Sequence, residues 1–406
     1  MTSPATVGPF STLLLEDLVV SVFGAGDGRG PLRVEPLGTG ASTPVVVSRS
    51  FAERTFGNLG SGLPANVEQA ETVVSMPGLF HDAEFRSNIA VTAGEGAGVW
   101  ASFELFRGPD GLVSGGVQEF VAAGAQDQWS VERLFGDLAI AGVPMTVRVT
   151  LDRPGVAYAS LVDNASTDTA VYLQKVPATA WITPVVAHLP GNEGTFWSST
   201  VSVWNAGAAP ATLQLEYMPE GIDNSLGGIT APEIHLEPFE TIVLEDVVFE
   251  LFGVEDGKGV LAVDATGPVT LTSRVFTAGP EGGTSGMGVR ALHAAWFAAG
   301  EVVLPGVRTQ DGFRTNVGLV TDDLGTTFEL RLRGADGTLL AVEFLTVPPR
   351  TLQQLSTRAL FGSQETLVDP VGSVTVRADV DFFAYISVVD GTSQDPVFIM
   401  PATPRP

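Results

Sequence analysis

The sequence predicts an all-β protein built from tandem antiparallel β-sandwiches, and three observations support this fold class. Short runs alternate apolar and polar residues with a period of two, as half-buried strands do. Turn signals rich in Gly, Pro and Asp separate these runs. Related segments also return at a fixed long spacing, which is typical of a repeat array.

The repeats define four units in the order A, B, A, B. In the A units, Leu15-Glu16-Asp17 returns as Leu244-Glu245-Asp246. In the B units, Phe85-Arg86-Ser87-Asn88 returns as Phe313-Arg314-Thr315-Asn316. The predicted bounds are 1–65, 66–178, 179–291 and 292–406. The two internal units have the ordinary size of an Ig-like β-sandwich, about 100 residues.

Strand phases can be assigned from the alternation. In the first B unit, Ile89 and Val91 fall on one face and Arg86 and Asn88 on the other, so one face is predicted to be buried. The second B unit repeats this phase over residues 313–319. Trp197 is in phase with the apolar residues of its own strand and is therefore predicted to be a core residue.

One short helix per unit interrupts the strands. The predicted helices run from Asp17 to Gly24, from Ser130 to Gly136, from Asp246 to Gly253 and from Ser356 to Gly362. Asp and Ser side chains accept hydrogen bonds from the first turn of a helix, and Gly adopts the left-handed conformation that ends one. The apolar residues between the caps are expected to close one end of each sandwich core.

The first A unit is shorter than the second. The second A unit has residues 179–245 before Asp246, where its predicted helix begins. The first A unit has only residues 1–16 before the equivalent Asp17. About half a sandwich is missing, so we expect that neighbouring repeats precede the sequence. This expectation also accounts for the lack of a visible signal peptide at residues 1–10.

Composition limits the partners and the compartment. The net charge of −25 disfavours nucleic acid and anionic membrane surfaces. There is no cysteine, so disulfides and thiolate metal sites are excluded. No apolar run approaches the roughly 18 residues that would cross a bilayer. We expect no membrane insertion and an extracellular or cell-surface location.

A resemblance follows from the signatures of both unit types. The B-unit run that begins at residues 313–320 and ends at Ala384-Tyr385-Ile386-Ser387 resembles repeats of large secreted proteins of soil bacteria. Trp197-Ser198-Ser199 and residues 272–276 look like the partner repeat of the same proteins. The resemblance implies secreted tandem sandwiches and no particular activity.

No catalytic constellation is visible. The histidines His81, His188, His235 and His293 are isolated from one another. The sequence contains no nucleophile elbow, no phosphate-binding loop and no dinucleotide fingerprint. We therefore expect a protein that is not an enzyme and that binds no organic cofactor.

Two acidic loops are the candidate metal sites. Asp163 and Asp168 bound one loop, and Asp390 and Asp395 bound the matching loop of the second B unit. Such loops supply the hard oxygen ligands that calcium prefers. The alternative is a tight turn in which each aspartate accepts hydrogen bonds from its own backbone. The pair Asp379 and Asp381 is predicted to be solvated.

Three functions remain open from the sequence. The first is a non-catalytic structural, adhesion or spacer role in a secreted or cell-surface protein, with an extracellular protein or polysaccharide as partner. The second is a carbohydrate-binding accessory region of a larger secreted enzyme, with Trp100 or Trp204 stacking on sugar. The third is an enzyme site assembled between domains.

The repeat period of two units also predicts a fixed contact between each A unit and the B unit that follows it. We expect this contact to involve residues 291–306, with Trp296 and Phe297.

Overall fold

A computed structural model describes residues 3–26, 30–37, 44–54, 57–64, 72–173, 175–279, 282–293 and 296–401. Within these residues the protein is mostly antiparallel β-sheet with four short α-helices, so the predicted all-β sandwich class is confirmed. The unit bounds stay predictions, and the one between residues 65 and 66 lies outside the described residues.

The described residues of the first A unit form one helix and one hairpin. It contains α1 Leu18–Ser21, β1 Val47–Arg54 and β2 Gly57–Pro64. The strands β1 and β2 pair with each other in antiparallel register.

The first B unit is a sandwich of two four-stranded sheets, β3-β8-β5-β6 and β10-β9-β4-β7. Its elements are β3 Val73–Leu79, β4 Phe85–Ala93, β5 Val99–Arg107, β6 Gly111–Val121, β7 Gln126–Ser130, α2 Val131–Phe135, β8 Met145–Leu151, β9 Gly155–Asp163 and β10 Thr169–Leu173. Apolar side chains of both sheets, including Met76, Ile89, Phe103 and Val147, form one buried core.

The second A unit forms one continuous eight-stranded network. Its elements are β11 Ala178–Pro190, β12 Phe196–Asn205, β13 Ala211–Pro219, β14 Ile229–Thr230, β15 Ile234–Leu236, β16 Thr241–Leu244, α3 Val247–Phe252, β17 Gly257–Ala278 and β18 Thr284–Val289. The long strand β17 pairs with both β13 and β12, so it belongs to both layers.

The second B unit repeats the order of the first. Its elements are β19 Ala298–Val307, β20 Phe313–Thr321, β21 Thr326–Arg333, β22 Leu339–Val347, β23 Leu352–Ser356, α4 Thr357–Phe361, β24 Gly372–Asp390 and β25 Pro396–Ile399. Here one strand, β24, replaces β8 and β9. The first B unit has Pro154 at the break, and proline cannot donate to a strand ladder.

The predicted side-chain caps at the helix N-termini are present in the B units only, whereas the predicted left-handed glycine at the C-terminus is present at Gly253 of the second A unit and not at Gly136 or Gly362. Ser130 accepts a hydrogen bond from the N–H of Arg133, and Ser356 accepts one from Ala359. Asp17 and Asp246 do not cap their helices, which corrects the prediction for the A units. Both adopt left-handed backbone conformations, and the Asp246 carboxylate pairs instead with His188.

The last strands of the units contact one another in circular order. The strand β2 contacts β10, β10 contacts β18, β18 contacts β25, and β25 contacts β2. The first A unit and the second B unit are therefore neighbours through β2 and β25. The four units form a closed ring, in which each unit contacts the units before and after it.

Candidate functional site at the joints between units

The loop from Asp163 to Asp168 is built as a hydrogen-bonded turn. Asp163 Oδ1 accepts hydrogen bonds from the N–H groups of Ala165 and Ser166, both at 2.9 Å. In the matching loop, Asp390 Oδ1 accepts from Thr392 at 2.9 Å and from Ser393 at 3.2 Å. The predicted alternative of an aspartate-stabilised turn is confirmed at both positions.

The same loop reaches across to the second A unit, at a contact that we call the B–A joint. Asp163 Oδ2 accepts from the N–H and the hydroxyl of Thr284, at 2.9 and 2.8 Å. Asp168 Oδ2 accepts from the N–H of Gly286 at 2.6 Å and from Arg274 Nη2 at 3.3 Å. Both carboxylates are buried, so their hydrogen bonds hold two units together.

The pKa values of the two carboxylates of the joint are shifted in opposite directions. Burial alone would raise the pKa of Asp163, but hydrogen bonds from Ser166, Thr284 and Ala165 bring this pKa below its ordinary value. Burial raises the pKa of Asp168, although Arg274 and the Gly286 N–H oppose the rise. Asp163 is therefore the carboxylate that the joint stabilises as an anion.

An equivalent contact joins the second B unit to the first A unit. Asp395 Oδ2 lies 2.8 Å from Arg49 Nη2, and the Asp395 side chain is fully buried. Arg49 lies in β1, opposite Gly62 of β2, just as Arg274 lies opposite Gly288 of β18. The two arginines therefore occupy the same place in equivalent hairpins.

Sequence reasoning missed these arginines, although the signal was present. Residues 48–51 read Ser-Arg-Ser-Phe and residues 273–276 read Ser-Arg-Val-Phe. The next strand carries glycines at the same spacing in both hairpins, at positions 57, 60 and 62 and at positions 283, 286 and 288. A Cβ at Gly288 would lie 2.5 Å from the Val171 carbonyl oxygen, so the close approach needs glycine.

The calcium hypothesis for Asp163, Asp168, Asp390 and Asp395 stays a prediction. In the described part of the chain, no group of three or more His, Cys, Asp or Glu side chains is placed to hold a metal ion. The carboxylates are engaged by N–H groups, a hydroxyl and arginines. Asp379 and Asp381 are exposed, as predicted.

The A–B joint, between the second A unit and the second B unit, is an apolar cluster. Its largest buried side chains are Phe297, Phe383, Tyr385, Met218 and Met287. The predicted contact through Trp296 and Phe297 is present, because Phe297 is buried in this cluster and Trp296 packs against it. Trp197, predicted to be a core residue of its sandwich, is half-buried and packs against this joint instead.

A polar rim surrounds the apolar joint. Glu220 Oε1 accepts from the N–H of Gln354 at 2.6 Å, and Lys258 Nζ lies 3.3 Å from Glu220 Oε2. Tyr385 donates its hydroxyl to Gln354 Oε1 at 2.6 Å. These contacts give the joint a defined orientation as well as burial.

A buried cationic group lies where the first B unit continues into the second A unit. Lys175 is 5% exposed and donates to the Ala291 carbonyl at 2.6 Å. Burial and nearby Arg290 hold its pKa well below the ordinary value. Burial also lowers the pKa of Arg290 to about 10 and that of His293 below its usual value. This hydrogen bond connects the end of the first B unit to the end of the second A unit.

The tryptophans separate into buried and exposed groups. Trp204 is fully buried against Phe106 across the B–A joint, so it offers no face to a sugar, contrary to one interpretation of the sequence. Trp100 is 51% exposed, and its ring lies 5.2 Å from that of Phe120, which is also exposed. This pair is an exposed aromatic surface on the paired strands β5 and β6 of the first B unit.

The histidines do not converge. His188 lies 2.8 Å from Asp246, the His293 ring packs at an angle against Trp181, and His235 contacts Thr212. No helix among the described residues is long and apolar enough to cross a membrane.

Comparisons with known proteins identify no family. No protein-family model and no curated protein matches the chain. One solved structure with partial likeness is Streptomyces avermitilis alpha-L-rhamnosidase complexed with L-rhamnose, at 10% identity and a TM-score of 0.15. The match covers 80% of this chain and 42% of the rhamnosidase. Another is a tetra-tandem repeat in the extending region of a large adhesion protein, at 13% identity and a TM-score of 0.13, covering 88% of this chain and 81% of that one.

Proposed function

We propose that this chain is a non-catalytic structural module of a secreted or cell-surface protein, with an adhesion or spacer role in which it holds β-sandwich units in fixed relative positions. The observation that carries the proposal is the location of the buried ionisable groups at contacts between units. Asp163, Asp168, Arg274 and Lys175 all take part in contacts between units or at a unit boundary. Groups with perturbed pKa values often mark catalytic clefts, but Asp163, Asp168 and Lys175, whose pKa values are shifted, all lie at contacts between units.

The acidic surface and the resemblance to secreted repeats support the location in this proposal. A net charge of −25 keeps such a module soluble and apart from anionic surfaces. The absence of cysteine suits a secreted protein whose sandwich cores are large enough without disulfides.

The test of the non-catalytic role is a panel of hydrolase substrates that includes glycosides, esters and peptides, offered to the full chain. The expected result is no turnover above that of a heat-denatured sample. Turnover that is lost on substitution of a single residue, such as Asp381→Asn or His188→Ala, would overturn the proposal.

A second candidate is carbohydrate binding by a non-catalytic accessory region, and the exposed pair Trp100 and Phe120 favours it. Aromatic faces bind sugar rings by stacking, and an exposed apolar pair on a sheet is a site of interaction. On columns of several polysaccharides, this candidate predicts retention of the wild type and loss of retention in Trp100→Ala. The matched control is Phe344→Ala, which removes an aromatic ring that is 68% exposed on the second B unit.

A further inference from the structure

The two ends of the chain carry complementary halves of a B–A joint. In the joint between the first B unit and the second A unit, the Asp168 carboxylate meets Arg274 of the hairpin formed by β17 and β18. At the chain ends, the Asp395 carboxylate meets Arg49 of the hairpin formed by β1 and β2. One pair is in units adjacent in sequence, whereas the other spans 346 positions.

A second contact is shared by the two places. A Cβ at Gly111 would lie 3.6 Å from the Pro238 carbonyl oxygen and 3.8 Å from the Phe239 Cβ. At the chain ends, a Cβ at Gly337 would lie 2.7 Å from the Pro9 carbonyl oxygen. The Pro-Phe pairs correspond, since Phe10 and Phe239 both have positive φ, at 61° and 63°.

The Phe10 contact is reinforced at the chain ends. The guanidinium of Arg333 lies 4.6 Å from the centre of the Phe10 ring, and the Thr12 N–H donates to the Ala335 carbonyl at 2.8 Å. The turn of the second B unit at residues 334–337 therefore holds the N-terminal residues by stacking and by a backbone hydrogen bond.

A third contact is also repeated. A Cβ at Gly78 would lie 3.1 Å from Thr272 Oγ1, and one at Gly306 would lie 3.6 Å from Val47 Cγ2. Both glycines follow a proline and have positive φ, at 78° and 89°. Three separate points of the joint are thus reproduced between units that no short linker connects.

We propose that the second B unit ends in a docking surface for an A-type hairpin, and that the N-terminal residues of the same chain occupy this surface. The surface consists of the 390–395 loop, the 334–337 turn and Gly306. It selects an A-type hairpin by its arginine and its Pro-Phe corner. Occupation in cis closes the four units into a ring through a non-covalent clasp, whereas the other contacts follow the chain. This inference goes beyond the proposed function and does not depend on it.

The experiment measures energy transfer between dyes at the two sides of the clasp. Because the chain has no cysteine, Val7→Cys with Leu339→Cys gives two unique labels at exposed positions. High transfer is expected in the otherwise unchanged chain. Adding Arg333→Ala together with Arg49→Ala, or together with the isosteric Asp395→Asn, should lower the transfer towards the level measured in denaturant, since each pair of changes removes both the stacking on Phe10 and the ion pair at the hairpin.

The matched control is Arg274→Ala, which removes the same group from the B–A joint within the chain. It should leave the transfer high, because the clasp itself is intact. Wild-type transfer in both combined variants, Arg333→Ala with Arg49→Ala and Arg333→Ala with Asp395→Asn, would overturn the clasp. Energy transfer between two protein molecules, recognised because it increases with protein concentration, would overturn closure within one chain.

Discussion

The B–A joint and the A–B joint are made of different chemistry, although both connect β-sandwiches of one repeat. The B–A joint combines the buried Trp204–Phe106 contact with buried carboxylates, an arginine and threonine hydroxyls, and these polar groups distinguish it from the other joint. The A–B joint relies on a continuous apolar cluster around Phe383 and Tyr385 with a polar rim. An apolar joint gains from area removed from water, whereas a polar joint gains little net energy but requires matching groups. The alternation of the two joints therefore makes the order of the units specific.

The largest expected effect lies in the apolar joint. Phe383→Ala should lower the free energy of unfolding by about 3–5 kcal/mol, because it leaves a cavity at a side chain that is only 2% exposed. Chemical denaturation measures the change. Phe344→Ala, at an exposed ring, is the control and should change the unfolding free energy little. Equal effects of the two substitutions would show that the cluster does not carry the joint.

The free energy of unfolding should fall more when one partner of the Asp168–Arg274 pair is removed than when both are removed. Asp168→Ala should cost about 3 kcal/mol, since Arg274 stays buried without its counter-charge. Adding Arg274→Met should recover much of this loss. A double-mutant cycle in urea measures the coupling. Additive effects would contradict a coupled joint.

Acid should remove the contribution of Asp163 to the B–A joint. The pKa of Asp163 is lowered in the folded protein, so this carboxylate stabilises the fold above its unfolded pKa, about 3.9. That stability is lost as the pH falls through the folded value. Unfolding free energies measured from pH 6 downwards should therefore fall more steeply in the wild type than in Asp163→Asn. Parallel pH profiles would contradict the assignment.

The smallest expected effect is that of calcium. Melting in millimolar calcium and in chelator should agree, because Asp163 and Asp168 already accept hydrogen bonds across the joint. A calcium site would instead raise the melting temperature by mass action. Such a gain, lost in Asp390→Ala, would establish the calcium hypothesis and would change the account of both acidic loops.

Local features of the chain could be read from the sequence. The alternation around Ile89 and around Val317 predicts buried strand faces, and both residues are buried. The serine caps at Ser130 and Ser356 follow from side-chain chemistry within one turn. The predicted cap at Asp246 is absent, and the carboxylate instead contacts His188, which is 58 positions away. Rules based on neighbouring residues cannot predict a contact between residues so far apart in the sequence.

The sequence by itself determined the all-β class, the alternation of units and the turns that aspartates stabilise, because these depend on residues close together in the chain. Only the tertiary structure decided which units touch and through which side chains. The 2.8 Å contact of Arg49 with Asp395 joins residues 346 positions apart. Such a pair forms only when whole units pack against each other and bring groups that are distant in sequence to hydrogen-bonding distance. The repeated Ser-Arg-x-Phe signature marks the surfaces, but only packing pairs them.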